Sequence, residues 1–134
     1  MLPDGAAATV LIVDDDVEAL DALASILEFE GCRVATAVNG KAALDYLRQN
    51  APPDLVISDL VMPEMNGWQL RAELKRDPVL ARVPILIVTA LNTRGLDVDA
   101  MLLKPLDVDQ LLVTMGRLLH HPVGYSGTVL IKIS

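Results

Sequence analysis

Aromatic side chains are almost missing from this chain: Phe29, Tyr46, Trp68 and Tyr125 are all it has. Without more of them there is no stacking platform for single-stranded nucleic acid. Basic clusters are missing too. The 11 Lys and Arg are scattered among 18 Asp and Glu, a formal net charge of −7, so a nucleic-acid surface in this domain is not expected. Cysteine occurs once, at Cys32, which excludes an internal disulfide and reads as a small buried apolar residue in a reducing compartment. No apolar run reaches the length of a membrane span, and residues 1–9 lack the basic and apolar regions of a signal peptide. The expectation is a cytoplasmic protein without a membrane contact.

What is present is apolar and strongly patterned. Apolar residues make up 52% of 134, enough for one well-packed core and too many for disorder. Thr9–Val13, Arg33–Ala37, Pro53–Asp59, Pro84–Thr89 and Ala100–Leu103 read as five short strands. Between them, Leu20, Leu23, Ile26 and Leu27 recur at helical spacing, then Ala43, Leu44 and Leu47, then Trp68, Leu70 and Leu74. Leu111, Leu112, Met115, Leu118 and Leu119 mark a last helix, with Asp107 placed to cap it; Gly31 and Asn39-Gly40 are helix punctuation. Strands alternating with helices predict an α/β domain, a doubly wound five-stranded parallel sheet with right-handed crossovers.

Four of the five strands stop at polar residues: Asp14 and Asp15, Asp59, Thr89, and Lys104. A parallel sheet brings all those ends to one edge, where open α/β sheets place their ligands. Carboxylates gathered there repel, by about 4 kcal/mol per pair at about 4 Å and an effective dielectric of about 20. Lys104 is one cation able to offset this, and Mg2+, a hard ion suited to a few carboxylates plus waters, is another. With its charge kept, Asp59 can act as a nucleophile towards phosphorus. Thr89 would give a hydroxyl donor and Lys104 a positive charge to incoming phosphoryl oxygens.

Leu11-Ile12-Val13-Asp14-Asp15, Asp59-Leu60-Val61-Met62-Pro63-Glu64-Met65-Asn66-Gly67, Thr89-Ala90 and Lys104-Pro105 together resemble the receiver domain of two-component response regulators, over roughly residues 9–120. Each motif alone is weak; four in order at four strand ends are specific. The resemblance implies a flavodoxin-like fold with strand order 2-1-3-4-5. It implies that Asp59 accepts a phosphoryl group from a histidine kinase or phosphotransfer protein and switches a downstream protein target. Asp15, Asp59 and the Val61 carbonyl would ligate Mg2+, with Asp14 acting through water. Thr89, Ala90 and Lys104 would bind the phosphoryl group, and Thr89 would move towards it.

The chain also departs from that pattern. Only Leu91 to Asp99 separate the fourth and fifth strands, so the fourth crossover helix is expected to be absent or reduced to one turn. The switch position, an aromatic in the family, is Met101, so phosphorylation is expected to shift the 91–99 connection instead of a ring. Val61 and Leu91 flank the site and are apolar, which predicts a long-lived phosphoryl state. The receiver is assigned to 1–121 and an extension to 122–134, where Thr128–Ile133 reads as an extra strand and a homodimer contact. Bland readings stand beside these. Asp16 is equally well a helix cap, Asp97-Val98-Asp99 reads as solvated surface, and His120-His121 as a solvated helix end. Trp68, Met62 and Met65 read as packing. Two other functions compete: a pseudo-receiver or adaptor that works without phosphorylation, and an Asp-nucleophile phosphatase. The second lacks its general acid, because Val61 stands where a second Asp is needed.

Overall fold

A computed structural model describes residues 7–91, 95–120 and 123. Runs of β-branched and aliphatic residues form five strands: β1 (Thr9–Val13), β2 (Arg33–Ala37), β3 (Leu55–Asp59), β4 (Ile85–Thr89) and β5 (Ala100–Leu103). They make one parallel sheet in the order β2-β1-β3-β4-β5. The helices are α1 (Val17–Phe29), α2 (Gly40–Gln49), α3 (Gly67–Lys75) and α4 (Val108–Leu119), with a single 3-10 turn at Leu80–Arg82. This is the flavodoxin-like order expected.

Strand residues alternate between two cores. Val10, Ile12, Ile57 and Leu86 point to α1 and α4, where Leu20, Leu27, Leu111 and Met115 meet them. Leu11, Val13, Val56, Ile85 and Ile87 point the other way, to Leu44, Leu47, Leu70 and Leu74 on α2 and α3. Burial on both faces explains why the inner strands read as continuous apolar runs. Each fully buried Leu or Ile contributes roughly 1.5–3 kcal/mol.

Local chemistry sets the helix ends. Asp16 caps α1 by accepting from the amides of Glu18 and Ala19, and Asn39 caps α2 through the Ala42 amide. Asn66 and Gln69 exchange side-chain-to-backbone bonds in a capping box that starts α3, and Asp107 caps α4. Gly31, at φ +93°, ends α1 in the left-handed region that favours glycine.

The connection between β4 and β5 has no helix among its described residues: Leu91 and Gly95–Asp99 are bends and coil. Leu96, Val98 and Met101 pack onto the α2/α3 core in its place. Lys75 of α3 forms an ion pair with Asp97. Asp97 and Asp99 are exposed as expected, and the Asp99 carboxylate also accepts from the Ile85 amide at 2.7 Å, because the amino end of β4 needs an acceptor there. One expectation needs correction here. Trp68 is not a packing residue; it is 48% exposed because Leu70 and Leu74 already fill the inward face of α3.

His120 is exposed at the end of α4, and Val123 is buried in the α1/α4 core. The expected strand at Thr128–Ile133, the homodimer contact through it, and His121 lie outside the described residues. Among the described residues no helix is long and apolar enough to cross a membrane.

Candidate functional site

Three strands deliver the acids and the cation. β1 ends at Val13, so Asp14 and Asp15 emerge at the carboxyl edge of the sheet. Asp59 is the last residue of β3, next to them, and Lys104 follows the last residue of β5. One carboxylate oxygen from each of Asp14, Asp15 and Asp59 lies within 4.8 Å of the others. The Lys104 ammonium bridges two of the acids, 3.2 Å from Asp59 Oδ2 and 3.5 Å from Asp14 Oδ2. Asp14 and Asp59 are largely buried, with side chains 11% and 14% exposed; Asp15 faces solvent.

Burial and charge pull on these groups in opposite senses. Burial pushes the Asp14 carboxyl above the ordinary aspartate value, and Asp59 beside it adds to that. The Asp16 amide, which donates to Asp14 Oδ1 at 2.9 Å, and the Lys104 charge pull it back in part. Burial works against the Lys104 charge, but the Asp59 carboxylate it hydrogen-bonds and the Asp14 charge hold its ammonium above the usual lysine range. The pocket is therefore rich in negative charge, and one ammonium only partly offsets it.

Thr89 closes β4 one position beyond the Asp59–Val88 register pair and is 1% exposed. Its Oγ1 accepts from the Leu91 amide at 3.1 Å, and its carbonyl accepts from the Lys104 amide at 2.8 Å. Ala90 and Val61 are exposed at the same edge. Met101 is not at that edge: it pairs in register with Ile87 in the middle of β5, half-buried against the α2/α3 core. A cavity of about 60 Å³ touches Asp14, Asp59 and Lys104 and is otherwise lined by apolar side chains, among them Ile12, Leu20, Ile57 and Val88.

Four supporting features lay beyond sequence reasoning. Ser58 is fully buried and its hydroxyl donates to the Asp59 carbonyl at 2.8 Å. Gly67 lies so close that a Cβ there would sit 2.8 Å from the Asp59 carbonyl oxygen and from Ile87 Cδ1. A Cβ on Gly40 would meet Met65 Cγ at 2.8 Å, so the loop after Asp59 nests on the first turn of α2. The fourth feature is Arg71, whose side chain is 12% exposed, with Nη2 3.8 Å from Asp99 Oδ2.

A flavodoxin-like sheet that gathers acids from two strand ends and an ammonium from a third defines a receiver-type signalling domain. The chain belongs to the family described as the response regulator receiver domain, whose profile matches residues 10–115. It is similar to the transcriptional regulatory protein ZraR of Klebsiella oxytoca, 38% identical over 84% of this chain and 26% of that protein. It is 34% identical to the protein PilH of Pseudomonas aeruginosa, over 84% of this chain and 98% of PilH. The chain thus spans about a quarter of the first relative and nearly all of the second. Among solved structures, it resembles the signal receiver domain of a histidine kinase from Syntrophus aciditrophicus, with TM-score 0.79 and 33% identity over 85% of this chain and 91% of that one. It also resembles the response regulator TrrA of Thermotoga maritima in complex with Mg2+ and BeF, with TM-score 0.75 and 28% identity over 84% and 99%. This chain is a receiver domain of the two-component signalling class.

Proposed function

We propose that Asp59 is the phosphoacceptor and takes its phosphoryl group from a histidine kinase or a phosphotransfer protein. The observation that carries this is the Lys104 ammonium bridging Asp59 and Asp14 beside a third carboxylate. An Asp59 carboxylate oxygen forms the new bond to phosphorus as the P–N bond of a phosphohistidine breaks, and the imidazole nitrogen leaves with the bonding pair. Lys104 neutralises the phosphoryl oxygens as they approach. The Thr89 hydroxyl accepts from Leu91, so its own proton remains free to be donated to a phosphoryl oxygen.

The acids suit Mg2+. Three carboxylates within 4.8 Å are more negative charge than one lysine offsets, and all the donors are hard oxygens. Asp15, Asp59 and the Val61 carbonyl would hold the ion, with Asp14 reaching it through water. When bound, Mg2+ neutralises the oxygens of the transferring group. The cognate partner and the downstream target are both proteins in this reading.

Because Leu91 is tied to the Thr89 hydroxyl, a shift of that hydroxyl towards the phosphoryl group draws the start of the 91–99 connection with it. Among the described residues Met101 has no comparable link. The signal leaves through the connection instead of through an aromatic ring.

Intact mass after incubation with Mg2+ and acetyl phosphate or phosphoramidate tests the reading. Wild type gains a single phosphoryl adduct and Asp59→Asn gains none. A wild type that stays unmodified favours the adaptor that works without phosphorylation, a reading kept in play by a β4–β5 connection whose described residues form no helix. A phosphatase is not favoured, since Val61 offers no acid to a leaving group.

A further inference from the structure

At the amino-terminal edge of the sheet, opposite Asp59, two aspartates make the same pair of bonds. Asp54 precedes β3; its amide donates to the Thr9 carbonyl at 2.8 Å and its carboxylate accepts from the Thr9 amide at 2.8 Å. Asp99 precedes β5; its amide donates to the Ile85 carbonyl at 3.1 Å and its carboxylate accepts from the Ile85 amide at 2.7 Å. Each clasp ties the residue before one strand to the first residue of its neighbour. It pins the register of that pair at the amino end, and register decides where each side chain stands. The first clasp serves β1 and β3, which lead to Asp14, Asp15 and Asp59. The second serves β4 and β5, which lead to Thr89 and Lys104.

The second clasp has less to help it. β1, β3 and β4 each have strands on both sides, whereas β5 is a four-residue strand bonded, among the described strands, to β4 alone. Its preceding connection has no described helix to hold it. From the clasp the ladder runs Leu86–Ala100 to Thr89–Leu103, and the Lys104 amide closes it on the Thr89 carbonyl. Behind Asp99 stands Arg71, with Nε and Nη1 buried and without a hydrogen-bond partner among the described residues. A buried guanidinium so poorly paired is costly, and among the described residues the carboxylate in ion-pair reach is Asp99.

We propose that Asp99, backed by Arg71, is a positioning residue for Lys104: by seating the amino end of β5 on β4 it sets where that ammonium stands relative to Asp59 and Thr89. The proposal rests on Asp59 as phosphoacceptor. Loss of the clasp is expected to slow phosphoryl transfer without loosening the metal site, whose acids come from β1 and β3.

The test compares whole-chain wild type, Asp99→Ala, Asp99→Asn and Asp54→Ala for phosphorylation by phosphoramidate and for Mg2+ affinity. Asp99→Ala should slow uptake about tenfold at saturating Mg2+ with affinity unchanged, since small misplacements of reacting groups carry large rate penalties. Asp99→Asn keeps an oxygen for the Ile85 amide but loses the charge facing Arg71, and should recover part of the rate. Asp54→Ala loses the matching clasp between better-held strands and should slow uptake far less. Equal rates in wild type and Asp99→Ala overturn the proposal. So does equal slowing in the two alanine variants with parallel loss of Mg2+ affinity, the mark of general loosening. Should Asp99→Ala fail to fold, Arg71→Met carries the test: slower uptake at constant Mg2+ affinity supports the proposal, and an unchanged rate overturns it. Absence of any adduct on wild type overturns the phosphoacceptor reading and this proposal with it.

Discussion

The strands that bring the carboxylates and the strand that brings the ammonium are held by different means. β1 and β3 lie inside the sheet, and Leu11, Ile12, Leu55, Val56 and Ile57 on them are 0–1% exposed. α1 and α2 follow β1 and β2 as full crossovers. Among the described strands β5 has one neighbour; it has no described helix before it and ends in Leu103, 45% exposed. The strands carrying the acids and Thr89 are thus fixed by neighbours on both sides, while Lys104 depends on a short ladder and a few polar contacts. Regions with fewer buried contacts are the ones that shift at low cost, so the edge of the sheet is where a switch belongs.

Lys104→Met probes this contrast most strongly. It should lower the phosphorylation rate about 100-fold, the scale of losing one preorganised charge in a transition state. Mg2+ affinity should hold or tighten, because a competing cation leaves Asp59 and Asp14; calorimetric titration reads it. Loss of Mg2+ binding in that variant would mean the two halves are not separable. A smaller effect concerns lifetime. Val61 and Leu91, one after each half, are 57% and 52% exposed and apolar, so neither orients an attacking water. Val61→Asn should shorten the life of the acyl phosphate roughly tenfold by giving a water a partner; fast hydrolysis in wild type that ignores this change would contradict it.

The smallest effect is on stability of the metal-free protein. Burial raises the Asp14 pKa in the folded state above the ordinary aspartate value of 3.8. The folded protein therefore holds the Asp14 proton more tightly, and the associated stability is full below that value and lost as pH rises through the folded pKa. At neutral pH the ionised Asp14 costs stability. Asp14→Asn, whose oxygen can still accept from the Asp16 amide, should melt a few degrees higher at pH 7 and converge on wild type towards pH 4. A variant that melts lower at pH 7 would show that the Lys104 contact outweighs burial.

Much of this was legible in the residues. Five apolar runs gave the strands, and polar residues at their ends gave Asp14, Asp15, Asp59, Thr89 and Lys104, because strand ends and side-chain alternation are local properties. The short spacing from Thr89 to Ala100 likewise foretold a connection without a full helix. Trp68 misled because it sits within a helical apolar pattern, and only the assembled core shows that its face is surplus. Asp99, Arg71, Ser58 and the contacts at Gly40 and Gly67 were hidden for a different reason: their partners are set by the packed sheet. One trace was available, an Asp immediately before a strand at both Asp54 and Asp99, but the amides they hold are 45 and 14 residues away.

Gly67 opens α3 with no room for even a methyl group against the Asp59 carbonyl oxygen, and its amide is bonded to the Leu60 carbonyl at 2.7 Å. Main chain rests on main chain there, so no rotamer can relax to absorb a displacement. A protein gripping the outer face of α3, where Trp68 stands exposed, would have a stiff handle on the acidic residue itself, and traffic along that handle runs in both directions.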